Sequence, residues 1–374
     1  MERDERWTSP YRPLMPGTRG SCGRKLDPCR RQHLTAAPAW IDSGGDVKDF
    51  PARNWLAALC PALLYACAPA DGAAVARIPR LRSTDFPLHI ECAGFELDLA
   101  HPPRRVLPAN AAWVDFVSLL VGPERLAALP AEAFGFSRLT REDGAWAELE
   151  PLAVFEGERI LALAPDLVLA HGWQNPETIH TLQRAGIPVL VVPVPESWAE
   201  ITATLELLGT VLGVPERARA ELAALEAQRV RLRERATPFA RKRALSYTNL
   251  GAGGWTSGAR TTGAILLELA GLENAAAEAG LVGDVPADRE RLIALAPDLF
   301  LVGRPDRTES SPPSADFLLG DPALQELEAV RAKRIVALPP ALFDSASPEL
   351  LRGAEVLVDE LERLASAPAA DSRD

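Results

Sequence analysis

The sequence predicts an α/β protein of two similar lobes, each a parallel sheet flanked by helices, joined by a long α-helix with a ligand cleft between them. Three observations predict it. The stretch "ERILALAPDLVLA" (158–170) returns 132 residues later as "ERLIALAPDLFLV" (290–302), with nine of thirteen positions identical. Around each copy, helix-period segments alternate with short continuous apolar runs, the pattern of strands buried on both faces of a parallel sheet. Between the copies, residues 197–237 are rich in Ala, Leu, Glu and Arg at helical spacing, which reads as a connecting helix.

Residues 1–46 are rich in Arg, Pro, Gly and Ser without any period and read as a disordered leader or a mis-assigned start. Residues 47–67 read as an export signal: Lys48 and Arg53 carry the charge, Trp55 to Ala66 the apolar stretch, and "LLYAC" ends on Cys67. That ending is of the lipoprotein kind, in which the cysteine is lipidated, with Tyr65 in a slot that usually takes a small residue. A linker (68–86) leads to an N-terminal lobe (87–196). It opens on a hairpin with Gly94 at the turn, then a strand, then "AAWVDFVSLLVG", a helix stopped at Gly122-Pro123. Each copy of the repeat contributes a short helix ended by Ala-Pro-Asp and a buried strand. "PETIHTLQRAG" and "IPVLVVPV" add a helix and a strand. The connector is interrupted only at Gly213–Pro215. In the C-terminal lobe (238–364), "KRALSYTNL" is a strand and "GAGGWTSGA" a Gly-rich loop. "TTGAILLELAG" is a helix capped by Thr261 or Thr262, and a last helix begins with Ser347-Pro348. Residues 365–374 form a tail.

With 374 residues, 47% of them hydrophobic and 24% charged, the chain has room for two cores. A net charge of −11 argues against a nucleic-acid partner. Of five cysteines only Cys92 falls in the folded body, so no disulfide framework is expected. No apolar run reaches the length of a spanning helix.

There is no P-loop, HExxH or GxSxG, and "GAGGWT" lacks the spacing of a dinucleotide fingerprint. No catalysis and no cofactor are expected. His171 and His180 lie nine residues apart across a loop–helix junction, a poor metal pair, and read as structural or solvent-facing; no metal site is expected. What stands out is aromatic residues after strands: Trp113, Trp173, Trp255 and Phe343. Their faces would suit a large, flat, partly apolar ligand, or complete the lobe cores. Arg260 and Arg304 could meet a ligand's carboxylates or amides, or face solvent.

In order along the chain, "PPRRVLPANAAWVDFVSLLVG", "GERILALAPDLVLA", "AGIPVLVV", "GGWTSGA" and "LFDSASPELL" resemble the periplasmic iron-siderophore, haem and vitamin B12 binding proteins of ABC importers over 87–364. That resemblance implies a two-lobed solute-binding fold, a metal-chelate or corrinoid ligand, an ABC permease with its ATPase as partner, and a monomer held outside the cytoplasm by a lipid on Cys67. The vitamin B12 binding branch is similar at "WTSGA" (255–259) and "LFDSASPE" (342–349), which implies ligand contacts at Trp255, Phe343 and Asp344. That branch has a Glu-Arg pair where this chain has Asp344-Ser345, so ferric siderophore, haem and corrinoid stay open. Glu158 and Glu290, which open the two copies, match the glutamates that such proteins present to permease arginines; each is also an acidic residue favoured in a helix's first turn. An enzyme or metallocluster protein on the same fold, or a binding protein serving a sensory receptor, are the competing classes.

Overall fold

The computed structural model describes residues 77–92, 95–249, 253–304 and 313–366. The export signal with Cys67, the leader and the Gly94 turn lie outside the described residues. Strands β1 (Arg80–Leu81), β2 (Leu88–Cys92) and β3 (Phe95–Leu99) form an antiparallel sheet in that order. Next come β4 (Val106–Pro108), α1 (Ala111–Leu120), β5 (Leu129–Pro130), α2 (Ala133–Phe136) and β6 (Pro151–Leu152). After them follow α3 (Gly157–Leu163), β7 (Leu167–His171), α4 (Pro176–Arg184) and β8 (Val189–Val192). Strands β4, β7 and β8 pair in parallel in that order, β5 pairs with β6, and a parallel bridge from Val106 to Leu126 links the two sets.

The connector is two packed helices rather than one rod: α5 (Trp198–Val211), capped by Ser197, and α6 (Pro215–Ala236). Gly213, at φ 71°, turns the chain between them, and Pro215 starts the second helix. At the crossing, a Cβ on Gly209 would stand 2.2 Å from that of Ala218, so glycine permits the close approach. Helix α6 has 22 residues, which at 1.5 Å per residue makes it about 33 Å long. It touches both α1 and the C-terminal helices.

The second half runs β9 (Arg243–Asn249), β10 (Gly254–Ser257), α7 (Thr262–Leu269), β11 (Glu273–Asn274), α8 (Ala275–Glu278) and β12 (Asp284–Pro286). It continues with α9 (Arg289–Leu295), β13 (Leu299–Gly303), α10 (Pro313–Gly320), α11 (Glu328–Arg331), β14 (Ile335–Leu338), α12 (Pro340–Phe343) and α13 (Glu349–Ser366). The sheet order is β12-β10-β9-β13-β14, with β11 also on β9. The expected parallel core is β9, β13 and β14; β10 and β12 run antiparallel at its edge. Part of the expected Gly-rich loop is therefore strand β10. Gly254 allows this, because a Cβ there would fall 2.3 Å from the Tyr247 ring.

Side chains on the central strands alternate between two cores. Leu167 and Leu169 of β7, and Leu190 and Val192 of β8, enter one buried cluster; Val168, Ala170 and Val189 enter another. In the second sheet Leu299, Leu301, Val336 and Leu338 join that same first cluster, while Leu245, Phe300 and Val302 form a third. The first cluster also takes Leu205 and Leu208 of α5 and Leu357 of α13, so a single core joins the two sheets. Both faces of each sheet are covered, which is why the strands read as unbroken apolar runs.

The repeated "ALAPDL" has a local reason. Helices α3 and α9 both end on an alanine in the left-handed region, Ala164 (φ 47°) and Ala296 (φ 39°), and the proline that follows cannot extend them. Asp166 then accepts from the backbone N–H groups of Arg104 and Arg105 at 2.6 and 2.8 Å, and Asp298 from that of Arg243 at 2.9 Å. The same arginines reach back to the orphan carbonyls of the helix ends: Arg105 to Leu163 at 2.7 Å, Arg243 to Ala296 at 3.1 Å. Each copy thus clamps a helix end to the start of the neighbouring strand.

Candidate functional site

The carboxyl ends of β4 and β7 bring three of the singled-out residues together. Asn110, past β4, caps α1 by accepting from the Trp113 N–H at 3.3 Å. His171 ends β7; its backbone N–H donates to Gln174 Oε1 at 2.7 Å, and its Nδ1 lies 3.1 Å from the Val192 carbonyl. The imidazole stacks on Trp113 at 4.6 Å and lies 6.4 Å from the ring of Trp173, nearly parallel to both. Burial pushes its pKa down to about 4, so the ring is neutral.

Trp113 corrects an expectation. It is wholly buried, because its spacing with Phe116, Val117 and Leu120 places it on the inward face of α1, and it presents no surface to a ligand. Trp173, 58% exposed, and Trp255, 45% exposed, both keep a large part of their surface open to solvent. Trp255 lies on β10 rather than on a loop, opposite Thr248, at the carboxyl end of β9.

Arg260 departs from expectation as well. Held at φ 64°, it pairs through Nε with Glu196, just past β8, instead of standing free. Glu196 also meets Arg77 at 2.7 Å, and Arg77 reaches the buried Glu200 at 3.3 Å. Arg304 is exposed after β13, its backbone N–H donating to the Leu338 carbonyl at 2.6 Å. Phe343 is half-buried against Gly303. Asp344 accepts from the Thr262 hydroxyl at 2.9 Å. Its residue surface is exposed, while the protein packed around the carboxyl pushes its pKa up by desolvation, with Asp284 adding repulsion.

A buried polar tie between the halves escaped the sequence reading. Asp115, on α1, accepts from Ser345 and Ser347 at 2.9 and 2.7 Å and from the Arg138 N–H at 2.6 Å. Loss of solvation, opposed by these hydrogen bonds, raises its pKa to about 7. Its available signal was an aspartate inside the apolar run "AAWVDFVSLLVG".

Glu158 and Glu290 are exposed in the first turns of α3 and α9, at equivalent places in the two copies. Glu177, exposed in the first turn of α4, the helix packed against α3, is a further surface carboxylate that the sequence reading passed over. Beside Glu290 lies a cavity of about 540 Å³ lined by Tyr247, Phe317, Asp288 and Arg289. Among the described residues no three His, Cys, Asp or Glu side chains converge as a metal site, and no helix is long and apolar enough to cross a membrane.

The family model described as periplasmic binding protein matches residues 153–342. The chain belongs to the periplasmic binding protein family. The matched span takes in both copies of the repeat, Trp173, Trp255 and Arg260, and ends within α12. A curated relative in this setting is the uncharacterized ABC transporter substrate-binding lipoprotein YvrC of Bacillus subtilis (strain 168), 25% identical over 210 residues. The match covers 54% of this chain and 64% of that relative, less than two thirds of its length. Among solved structures, the apo periplasmic heme-binding protein RhuT from Roseiflexus sp. RS-1 superposes with a TM-score of 0.61 at 25% identity, over 70% of this chain and 99% of that one. An ABC-type Fe3+-hydroxamate transport system protein from Saccharomonospora viridis DSM 43017 gives 0.61 at 21% identity, over 76% and 100%. This second likeness is one of fold alone. Both support the periplasmic binding protein architecture of two α/β lobes.

Proposed function

We propose that this periplasmic binding protein is the substrate-binding component of an ABC importer, capturing an iron-siderophore, haem or cobalamin-type chelate between its lobes for delivery to a permease. The observation that carries the ligand class is the pair of partly exposed tryptophans, Trp173 just past the carboxyl end of β7 and Trp255 on β10 beside the carboxyl end of β9, each large, flat and incompletely buried. Phe343, Asp344 and Arg304 are the further contacts on the second half; Arg260 contributes if a ligand displaces it from Glu196. Family membership and the lipoprotein relative support import, an extracytoplasmic location and a lipid on Cys67. The lobes span 87–196 and 238–364 in this reading, with the connector at 197–237.

Docking to the permease falls to Glu158 and Glu290. Their support is equivalence: duplicated helices carry an exposed carboxylate at the same first-turn position, as a two-fold partner would require. The test of binding is quenching of tryptophan fluorescence on titration with hemin, cobalamin and a ferric hydroxamate. Saturable quenching by one of them is expected; no response to any, or turnover of the added compound, refutes the reading.

A further inference from the structure

Three oxygens close a triangle inside the buried tie between the halves. Asp115 Oδ2 on α1 lies 2.9 Å from Ser345 Oγ and 2.7 Å from Ser347 Oγ, and the two hydroxyls lie 2.5 Å from each other. Each contact is of hydrogen-bond length and needs one proton. The serines supply two. With Asp115 ionised, one side of the triangle is left as two lone pairs face to face among buried residues. The third proton fits on the carboxyl, and it belongs on Oδ2, because Oδ1 accepts from the Arg138 N–H at 2.6 Å. Ser347 Oγ also accepts from the Glu349 N–H at 3.2 Å, which its second lone pair allows. A neutral Asp115 therefore completes the triangle, each oxygen donating once and accepting once around it.

The surroundings favour the same form. Glu349, in the first turn of α13, is the carboxylate whose charge bears on Asp115; its own cations, Arg138 and Arg352, each stand 3.6 Å from it. Helix α2 and strand β4 pack against α1 and carry no charged side chain. Helices α5 and α6 pack there too. On α5, buried Glu200 pairs with Arg77 and Glu206 is exposed. On α6, Arg217 pairs with Glu221 and donates to the Leu119 carbonyl at the far end of α1. Asp344, next to Ser345, turns to the Thr262 hydroxyl. Loss of solvation, with a smaller push from Glu349, puts the pKa of Asp115 at about 7.

Ser345 and Ser347 belong to the turn between α12 and α13, and Phe343 and Asp344 stand immediately before them. That turn is closely packed. A Cβ on Gly353 of α13 would fall 2.2 Å from the Leu342 carbonyl oxygen, and one on Gly303 would fall 2.9 Å from the Phe343 ring. A shift of the serines is therefore passed to Phe343 and Asp344 rather than absorbed. Resting on the import reading for what those two residues do, we infer that the proton on Asp115 sets the position of the α12–α13 turn. Asp115 is a positioning residue. Neutral, it holds Phe343 and Asp344 toward the ligand; ionised, it drives the serines apart and lets the turn move. The protein then retains its ligand at acid pH and releases it more readily above about pH 7.

One test needs no ligand. Backbone amide exchange of the full-length protein is followed at about pH 5.5 and about pH 8 and divided by the chemical exchange rate at each pH. The amides of Phe343 and Asp344, which donate to the Pro339 and Pro340 carbonyls, should lose protection tenfold or more at the higher pH, while those of β7 lose less. In Asp115→Asn their protection should not change with pH. Ser345→Ala serves if that variant fails to fold. It leaves a single contact, Ser347 to Asp115, which the remaining hydroxyl proton serves, so its pH dependence should vanish too. No loss at α12, equal loss at α12 and β7, or a loss that persists in either variant overturns the inference. A second test titrates hemin, cobalamin and ferric desferrioxamine by tryptophan fluorescence. For whichever binds, the ratio of native to Asp115→Asn affinity should fall fivefold or more over the same pH interval, the ratio cancelling the probe's own pH chemistry. A constant ratio overturns the inference and leaves import standing. If no probe binds, the import reading falls and amide exchange alone decides whether the proton holds the turn.

Discussion

Replacing Asp115 by asparagine should abolish a pH dependence of stability that the native chain carries. The carboxyl titrates at its ordinary value of 3.8 in the unfolded chain and at about 7 in the fold, where it lies fully buried among Ser345, Ser347 and the Arg138 N–H, with Glu349 adding repulsion. A folded pKa above the unfolded one means the folded state holds the proton longer. The contribution is therefore complete below pH 4 and is lost as pH rises to 7, by up to about 4 kcal/mol. His171 works in the opposite sense. Its pKa falls to about 4, so its contribution is complete above pH 6.5 and is lost as pH falls towards 4. The two slopes oppose each other in the native protein, so its own pH profile cannot isolate either. The difference between native protein and Asp115→Asn does, because His171 is common to both. Asparagine keeps an oxygen for the Arg138 N–H, and its amide can donate to serine hydroxyls that rotate to accept. Urea unfolding of both proteins at pH 5 and pH 7.5 should show the variant gaining about 2–3 kcal/mol on the native chain across that interval. A difference that stays constant within about 0.5 kcal/mol would show that Asp115 does not titrate as a buried neutral acid.

Further outcomes follow from the placements above. Glu158→Ala combined with Glu290→Ala should cut cellular uptake of the ligand tenfold or more while the titrated affinity of the purified protein is unchanged; normal uptake removes the docking role. Glu177→Ala, made alone, decides whether the carboxylate on α4 shares that role with Glu158. Leu169→Ala in β7, wholly buried in the core common to both halves, should cost about 2–5 kcal/mol in denaturant unfolding. A loss below about 1 kcal/mol would contradict that burial.

Local order was legible where one segment decides it. The "ALAPDL" pair announced two equivalent helix–strand units because proline, a helix end and a short apolar run are all read within a dozen residues. Thr261 before α7 and Ser347 ahead of α13 were legible as caps for the same reason. What escaped depends on residues distant in the chain. Asp115 meets Ser345 and Ser347 across more than two hundred positions, and nothing near any of them predicts it. Trp113 satisfied two readings at once, a strand-end aromatic and an inward helix position, and only packing separates them. Arg260 was visible as a cation, but its partner Glu196 lies on the other half of the molecule. His171 read as a bland histidine because its character comes from the Val192 carbonyl and from burial.

The polar ties between the halves are unequal, and that inequality says where the molecule can give. Asp115 is buried, so separating it from Ser345 and Ser347 leaves acceptors and donors unpaired away from water, at about 1–3 kcal/mol for each orphaned group. Arg260 is mostly exposed, and its pair with Glu196 is of a kind worth about 0–1 kcal/mol. Around the Asp115 tie, α2 also rests on α12, and the core common to both sheets would open to water if the halves parted there. Around Arg260 no comparable apolar area is at stake, since its side chain and that of Trp255 already face solvent. If a ligand enters between the lobes as proposed, the Arg260–Glu196 pair is the tie whose loss costs least and the Asp115 tie the one whose loss costs most, so the proposed opening is expected at Arg260.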